Sequence, residues 1–378
     1  MYDDMAHSPE NPHQGKLFNQ PNGSDVYHGV NKDYTGDNVT AENFKEVLLG
    51  DPGLKAQGKK VLESGPDDNV SIYFSDHGCP MVICFPNHDF LFASELIPTL
   101  KQMHEKKMYH KLLFYLESCE SGYMFDGLLP NNISIYATTA ASPNEEGWMC
   151  FCNVPEQTCL GTQYGVNWVI DSDIGKDFHG ETVPQQFLIV KNETNLSTAH
   201  EYGDLSIGDM PLSAFFGPVD PPSKPNPIKK CDDPTKMREV PLHLMKQKVA
   251  RASADDKPKL QAKLDHMMEA REFAYQAIRE VVQHLCSKGH CQFSEEILDQ
   301  MKGRVTRHEC AEKLVRTLNL HCFNVSRNPY ISEYLKAMVN IAEGLPARNL
   351  DAKCSEVAED LKKACEEKIP AYNSGQIL

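Results

Sequence analysis

Two reactive side chains stand out in the sequence, His77 and Cys119. Each closes a short apolar run. The first reads Val70-Ser71-Ile72-Tyr73-Phe74-Ser75-Asp76-His77-Gly78, and the second Leu112-Leu113-Phe114-Tyr115-Leu116-Glu117-Ser118-Cys119-Glu120. A thiol attacks carbonyl carbon as its thiolate, which a nearby imidazolium favours. The base must lie within hydrogen-bond reach in the fold, not in the sequence. Gly78, without a Cβ, lets its N–H approach a substrate oxygen closely, and the Cys119 N–H would complete an oxyanion hole. The chemistry on offer is acyl transfer through a thioester. On residue types alone, the competing reading is a buried cysteine and a surface histidine at two strand ends. Glu117 and Glu120 flank the thiol. Adjacent carboxylates raise a thiol pKa, so they would serve another purpose. They bind a polar or cationic substrate group, or they are solvated loop charges.

Both runs are short, β-branched or aromatic, and bounded by polar or glycine residues, which predicts buried strands. Helix and strand signals alternate around them. Thr40 caps a helix carrying Phe44, Val47 and Leu48. A helix is expected over 90–108, and Ile133–Thr139 reads as a further strand. This order predicts an α/β domain with a parallel or mixed sheet, which places its chemistry at the carboxyl ends of strands. Residues 1–40 read as a long loop with turns. Prolines at 218, 221, 222, 225, 227 and 234 predict an extended, exposed linker over 218–237. Beyond it, Leu260 to Leu285 keeps helical spacing, and four further helical patterns follow, so residues 238–378 read as a bundle of about five helices. The domains expected are therefore 1–217, a linker at 218–237, and 238–378.

Charge divides the chain at the same place. Residues 1–237 carry a net charge of −17 and residues 238–378 one of +2. An acidic first part argues against nucleic acid as a partner. No apolar run reaches about 18 residues, so no membrane span is expected. Thirteen cysteines and seven Asn-x-Ser/Thr sites fit an oxidising, secretory or lysosomal setting. Cys150 with Cys152, and Cys286 with His290 and Cys291, have loose metal-like spacing. No second Cys-x-x-Cys completes a tetrahedral set, so no metal and no cofactor is expected.

Tyr73-Phe-Ser-Asp-His-Gly78 and Leu116-Glu-Ser-Cys-Glu-Ser-Gly122 closely resemble the two active-site motifs of the legumain family, the asparaginyl endopeptidases or vacuolar processing enzymes. The likeness extends through Asn19–Tyr27, Lys32–Gly36, Ile135–Ala141, Val166–Trp168 and His321–Asn324. The resemblance implies a caspase-like, mostly parallel sheet flanked by helices. It also implies an all-α, death-domain-like prodomain, built of an activation segment and a stabilisation-type domain. That prodomain would inhibit the enzyme from within the chain until acid and self-cleavage release it. The implied activity is hydrolysis of peptide bonds after Asn, or Asp, in a lysosome or vacuole. Protein substrates and cystatin-type inhibitors would be the partners. By resemblance His77 is the base, Cys119 the nucleophile, and Gly78 and Cys119 the oxyanion donors. Asp76 matches a residue that forms a succinimide, and Glu117 matches one wall of the pocket for the substrate Asn. Cys322 and Cys354 match a family disulfide.

The sequence also departs from the family pattern. A pocket Ser falls at Gly147 and a pocket Asp at Thr162. Relative to the family, the peptidase domain is expected to lack its first strand and helix. The nearest activation site is Asp255-Asp256. The alternative is a catalytically impaired relative that binds or inhibits other proteases.

Overall fold

The computed structural model describes residues 1, 5–9, 11–86, 89–154, 158–173, 180–217 and 229–369. They form two compact units, one of residues 1–77 with 82–240 and one of residues 78–81 with 241–378. Among the described residues no helix is long and apolar enough to cross a membrane.

The strands in chain order are β1 (Asn69–Ser75), β2 (Gly78–Cys79), β3 (Val82–Phe85), β4 (Asp89–Phe92) and β5 (Lys111–Glu117). They continue with β6 (Ile135–Thr139), β7 (Trp148–Cys150), β8 (Gly161–Thr162), β9 (His200–Gly203) and β10 (Thr235–Lys236). The helices of the first unit are α1 (Ala41–Leu48), α2 (Pro52–Ala56), α3 (Ala93–Glu105), α4 (Gln163–Asp173), α5 (Val183–Glu193) and α6 (Ser213–Phe216).

The central sheet runs β1-β5-β6-β9, with β1, β5 and β6 parallel and β9 antiparallel at the edge. Six of the seven β5 residues and all five of β6 are buried, as apolar runs in a sheet covered on both faces must be. On one face Leu113, Tyr115 and Tyr136 pack with Val183, Ile207 and Leu212, with Trp168 and Phe216 against them. On the other, Phe114 meets Phe125 edge to face at 5.5 Å. This is a mixed α/β fold with a mostly parallel sheet, as the sequence predicts. The helix expected over 90–108 begins later. Phe90, Leu91 and Phe92 pair with β3 as strand β4, and α3 starts at Ala93.

The second unit carries α7 (Val240–Arg251), which begins at the junction, then α8 (Lys257–Ser287) and α9 (Glu296–Asp299). It closes with α10 (His308–His321), α11 (Leu335–Gly344) and α12 (Leu350–Lys368). The disulfide expected between Cys322 and Cys354 is not formed. Cys310 pairs with Cys354, and Cys322 with Cys365. The reason is geometric. Cys310 and Cys322, near the two ends of α10, lie about three turns apart, as do Cys354 and Cys365 on α12, so two bridges join the helices running the same way. A Cys322–Cys354 bond would be displaced by roughly 16 Å along the axes.

Residues 218–228 of the expected linker lie outside the described residues. Its last part is not an extended, wholly exposed tether: Thr235–Lys236 is a strand, and Thr235 and Met237 are buried while Pro234 and Lys236 stay exposed.

Candidate active site

The site is set by strand register. Parallel pairing of β1 and β5 ends at Ser75 opposite Glu117. The Asp76 N–H donates to the Glu117 carbonyl at 3.2 Å, so the strands stay abreast one step further. His77 and Cys119 thus lie two residues past the last paired positions, side by side at the carboxyl edge of the sheet. Asp76 turns its carboxylate back to accept from the His77 N–H at 2.6 Å. Gly78 follows and is buried. After Cys119 the chain reverses sharply through Glu120, at φ 51°, a left-handed conformation that costs a non-glycine residue of order 1 kcal/mol. The turn is held by the Glu120 N–H, which donates to the Glu145 carbonyl at 2.7 Å.

Cys119 is 1% exposed. The Gly147 N–H donates to its Sγ at 3.3 Å, and Met237 Sδ lies 3.5 Å from Sγ. Burial pushes the thiol pKa up to about 12, against the pull of Arg238 and of the Gly147 N–H. His77 is an exposed residue. Desolvation by the protein around its ring, and then the nearby Arg238 guanidinium, hold its pKa below the ordinary value. Burial thus favours the uncharged form of both groups.

What covers the thiol is a short stretch of the chain itself. β10 pairs antiparallel with β7, Thr235 opposite Met149 and Lys236 opposite Trp148. The Met237 N–H continues the ladder to the Gly147 carbonyl at 3.1 Å. Arg238, 4% exposed, sends its guanidinium to the Glu120 carboxylate and lies 4.0 Å from Glu146, while its N–H donates to Glu146 Oε1 at 3.3 Å. Lys236 Nζ approaches Glu146 at 3.6 Å. Upstream, the Cys152 and Asn153 N–H groups both donate to the Asp233 carboxylate, and a Cys150–Cys231 disulfide fixes the segment to β7. Cys152 pairs with Cys159 and, in the second unit, Cys286 with Cys291, so all four cysteines weighed as metal ligands are committed to disulfides.

The structure brings Glu117 and Thr162 together. Glu117 accepts from the hydroxyls of Thr162 and Tyr73, the latter at 2.5 Å. Burial raises the Glu117 pKa above the usual carboxylate range, and the Thr162, Tyr73 and Ser75 hydroxyls pull it part of the way back. Gly147 stands apart from this pair, beside the thiol. A Cβ there would meet Met237 Cε at 3.2 Å. The glycine next to Glu117 is Gly165, whose N–H donates to Thr162 Oγ1 at 3.0 Å.

Sequence reasoning singled out His77, Cys119 and the two flanking carboxylates as candidates. It missed Tyr73, Glu146, Met237 and Arg238. The only signal for Arg238 was Glu120, an acidic residue next to a thiol that needed a cation to be buried.

The peptidase C13 family profile matches residues 1–219. Legumain of Bos taurus is 41% identical over 351 residues, which is 91% of this chain and 79% of the relative. Hemoglobinase of Schistosoma mansoni is 37% identical over 357 residues, 93% of this chain and 80% of the relative. Vacuolar-processing enzyme of Vicia sativa is 34% identical over 378 residues, 92% of this chain and 75% of the relative.

Proposed function

The chain belongs to the peptidase C13 family and is a cysteine endopeptidase of legumain type, and on that premise we propose that it cleaves after Asn, or Asp, as an acid-activated zymogen of a lysosome or vacuole. The observation that carries the reading is the position of His77 and Cys119, level with each other at the carboxyl edge of two paired parallel strands.

His77 takes the Cys119 proton, and the thiolate attacks the scissile carbonyl carbon. Gly78 and Cys119 N–H groups receive the oxyanion. The C–N bond breaks, the leaving amine takes the proton from His77, and water hydrolyses the thioester. Asp76, bonded to the His77 N–H, holds the loop that presents the base, and its proximity suits the succinimide chemistry of the family.

Glu117, with Thr162 beside it, reads the substrate side chain. Burial raises the Glu117 pKa and so favours the protonated carboxyl, the form that donates to the carboxamide oxygen of Asn or to an Asp carboxylate oxygen. Gly147 leaves room next to the thiol where the family pattern has Ser. Latency follows from Met237 and Arg238, which close a site whose thiol is protonated. Release begins at Asp255-Asp256, which lies in an exposed turn between α7 and α8.

The test is Cys119→Ser. Peptide turnover after Asn and self-processing at acid pH should both disappear, with the fold intact by circular dichroism. Turnover that persists in this variant overturns the assignment. Correctly folded wild type that turns over no Asn or Asp peptide after acid treatment would instead support a binding or inhibitory relative.

A further inference from the structure

The covering segment lies in the cleft as a bound peptide would. An extended peptide that joins a sheet edge is held by backbone bonds, and its side chains are read by pockets on either side. Here the backbone bonds run from Thr235 through Met237 along β7. Met237 is the residue over the thiol, its Sδ 3.5 Å from Cys119 Sγ. Chain direction then fixes the sides. Taken in the direction of a substrate, the segment puts the residues before Met237 on the acyl side of the cleft and Arg238 first on the leaving-amine side.

We propose that Glu120 and Glu146 form a subsite for a basic side chain on the residue immediately after the scissile bond. This rests on the endopeptidase reading and adds a substrate class to it, peptides with Arg or Lys following the cleaved residue.

Three observations converge on it. Glu120 is 1% exposed and is presented by the same turn that presents Cys119. The site already holds a guanidinium, that of Arg238, paired with Glu120 and 4.0 Å from Glu146. Glu146 also accepts the Arg238 N–H, so one side chain reads both the backbone and the charge of that residue. A substrate that displaces the segment without a cation in this place removes the Arg238 guanidinium from a buried Glu120. One with Arg restores the pair. A planar guanidinium satisfies a carboxylate through a fork of N–H groups, so Arg should exceed Lys.

The pair of carboxylates is distinct from Glu117. Glu117 is bonded by neutral hydroxyls and reads the residue before the scissile bond. Glu120 and Glu146 are bonded by a cation and read the residue after it.

The experiment compares quenched fluorescent peptides identical except for Arg, citrulline or Glu after the Asn. Citrulline keeps the shape of Arg without its charge. With acid-processed full-length protein, kcat/KM for the Arg peptide should exceed that for citrulline by roughly tenfold, and that for Glu by more. Glu120→Gln should bring the Arg-to-citrulline ratio close to one, and Glu146→Gln should lower it less. Equal ratios in wild type and both variants overturn the proposal.

A binding measurement separates this from failure of the protease reading. In the Cys119→Ser, Arg238→Ala full-length chain no cleavage occurs and the covering segment is weakened. Fluorescence anisotropy should show the labelled Arg peptide binding more tightly than the citrulline peptide by the same factor. Equal binding sinks the subsite even where no peptide is ever cleaved, and tighter binding without turnover in wild type sinks only the protease reading. Preference for a basic residue before the scissile bond, found by mass spectrometry of the products, would also overturn it.

Discussion

Glu117 and Glu120 flank Cys119, both buried, and they are stabilised by opposite means. Glu117 accepts from the uncharged hydroxyls of Tyr73 and Thr162, and burial keeps its pKa high. Glu120 faces the Arg238 guanidinium, itself 4% exposed. A carboxyl among hydroxyls can give up its charge and become a donor. A carboxylate against a buried guanidinium is half of an ion pair, and removing either partner strands the other. One side of the thiol is therefore suited to reading a polar side chain by hydrogen bonds. The other is suited to holding a cation, and in this chain it holds Arg238 of the covering segment.

Breaking the ionic side should have the larger effect. Removing one partner of a buried ion pair typically costs about 3–5 kcal/mol, because the other is left unpaired. Arg238→Ala places that cost on the closed state alone, so the segment should lift and admit solvent. The Cys119 thiol, held near pKa about 12 by burial, then falls toward that of a free thiol. Alkylation of Cys119 by iodoacetamide at neutral pH should rise at least about a hundredfold, since the thiolate is the reacting form. Mass spectrometry of the Cys119 peptide reads this directly. Arg238→Lys should fall between, with the charge kept and the fork lost. An unchanged alkylation rate in Arg238→Ala would show that the Cys150–Cys231 bridge and the β10–β7 ladder close the site without the charge.

The neutral side is more sensitive to shape. A Cβ at Gly165 would stand 2.9 Å from both Glu117 Oε2 and Thr162 Oγ1, and the Glu117 carboxylate and Thr162 hydroxyl bond each other. Gly165→Ala should cost about 1–3 kcal/mol by overpacking, seen as a lower urea midpoint with an unchanged slope. Gly147→Ala is the control. Its closest contact would be the methyl end of Met237, at 3.2 Å, which can move aside. Equal losses at the two glycines would show that the Glu117 pocket is no stiffer than the thiol cover.

The two sides were not equally legible in the sequence. Apolar runs ending in His77 and Cys119 located the strand ends, because a buried parallel strand needs an apolar residue at nearly every position. Glu117 could be assigned to the pocket from its motif. Its partners Tyr73 and Thr162 come from other strands, and no local pattern announces a contact made by register. Arg238 was hidden by its surroundings. Prolines from 218 to 234 and charges on either side read as a solvated linker, and composition cannot show that the end of a linker adds a strand to β7. The cysteine pairing failed for a similar reason. It depends on α10 and α12 running the same way, which is a property of the bundle and not of either helix. The mixed sheet, by contrast, follows from the order of strands and helices alone.

The smallest effect is a change of stability with pH, and it separates the carboxylates most cleanly. Burial gives folded Glu117 a pKa above that of the unfolded chain. The folded state therefore binds this proton more tightly. The stabilising contribution is fully present below the unfolded pKa, about 4.3 for a free Glu. It is lost as pH rises through the raised folded value. Glu117→Gln keeps the shape and removes the titration. Relative to the variant, wild type should lose urea stability between pH 4 and pH 7, each tenfold difference in proton affinity between the folded and unfolded chain being worth about 1.4 kcal/mol. Measuring midpoints at both pH values in the Cys119→Ser background prevents self-cleavage from entering. A difference between wild type and variant that does not change with pH would mean that the hydroxyls of Tyr73 and Thr162 stabilise a charged Glu117 as well as Arg238 stabilises Glu120, and the contrast between the two sides would fail.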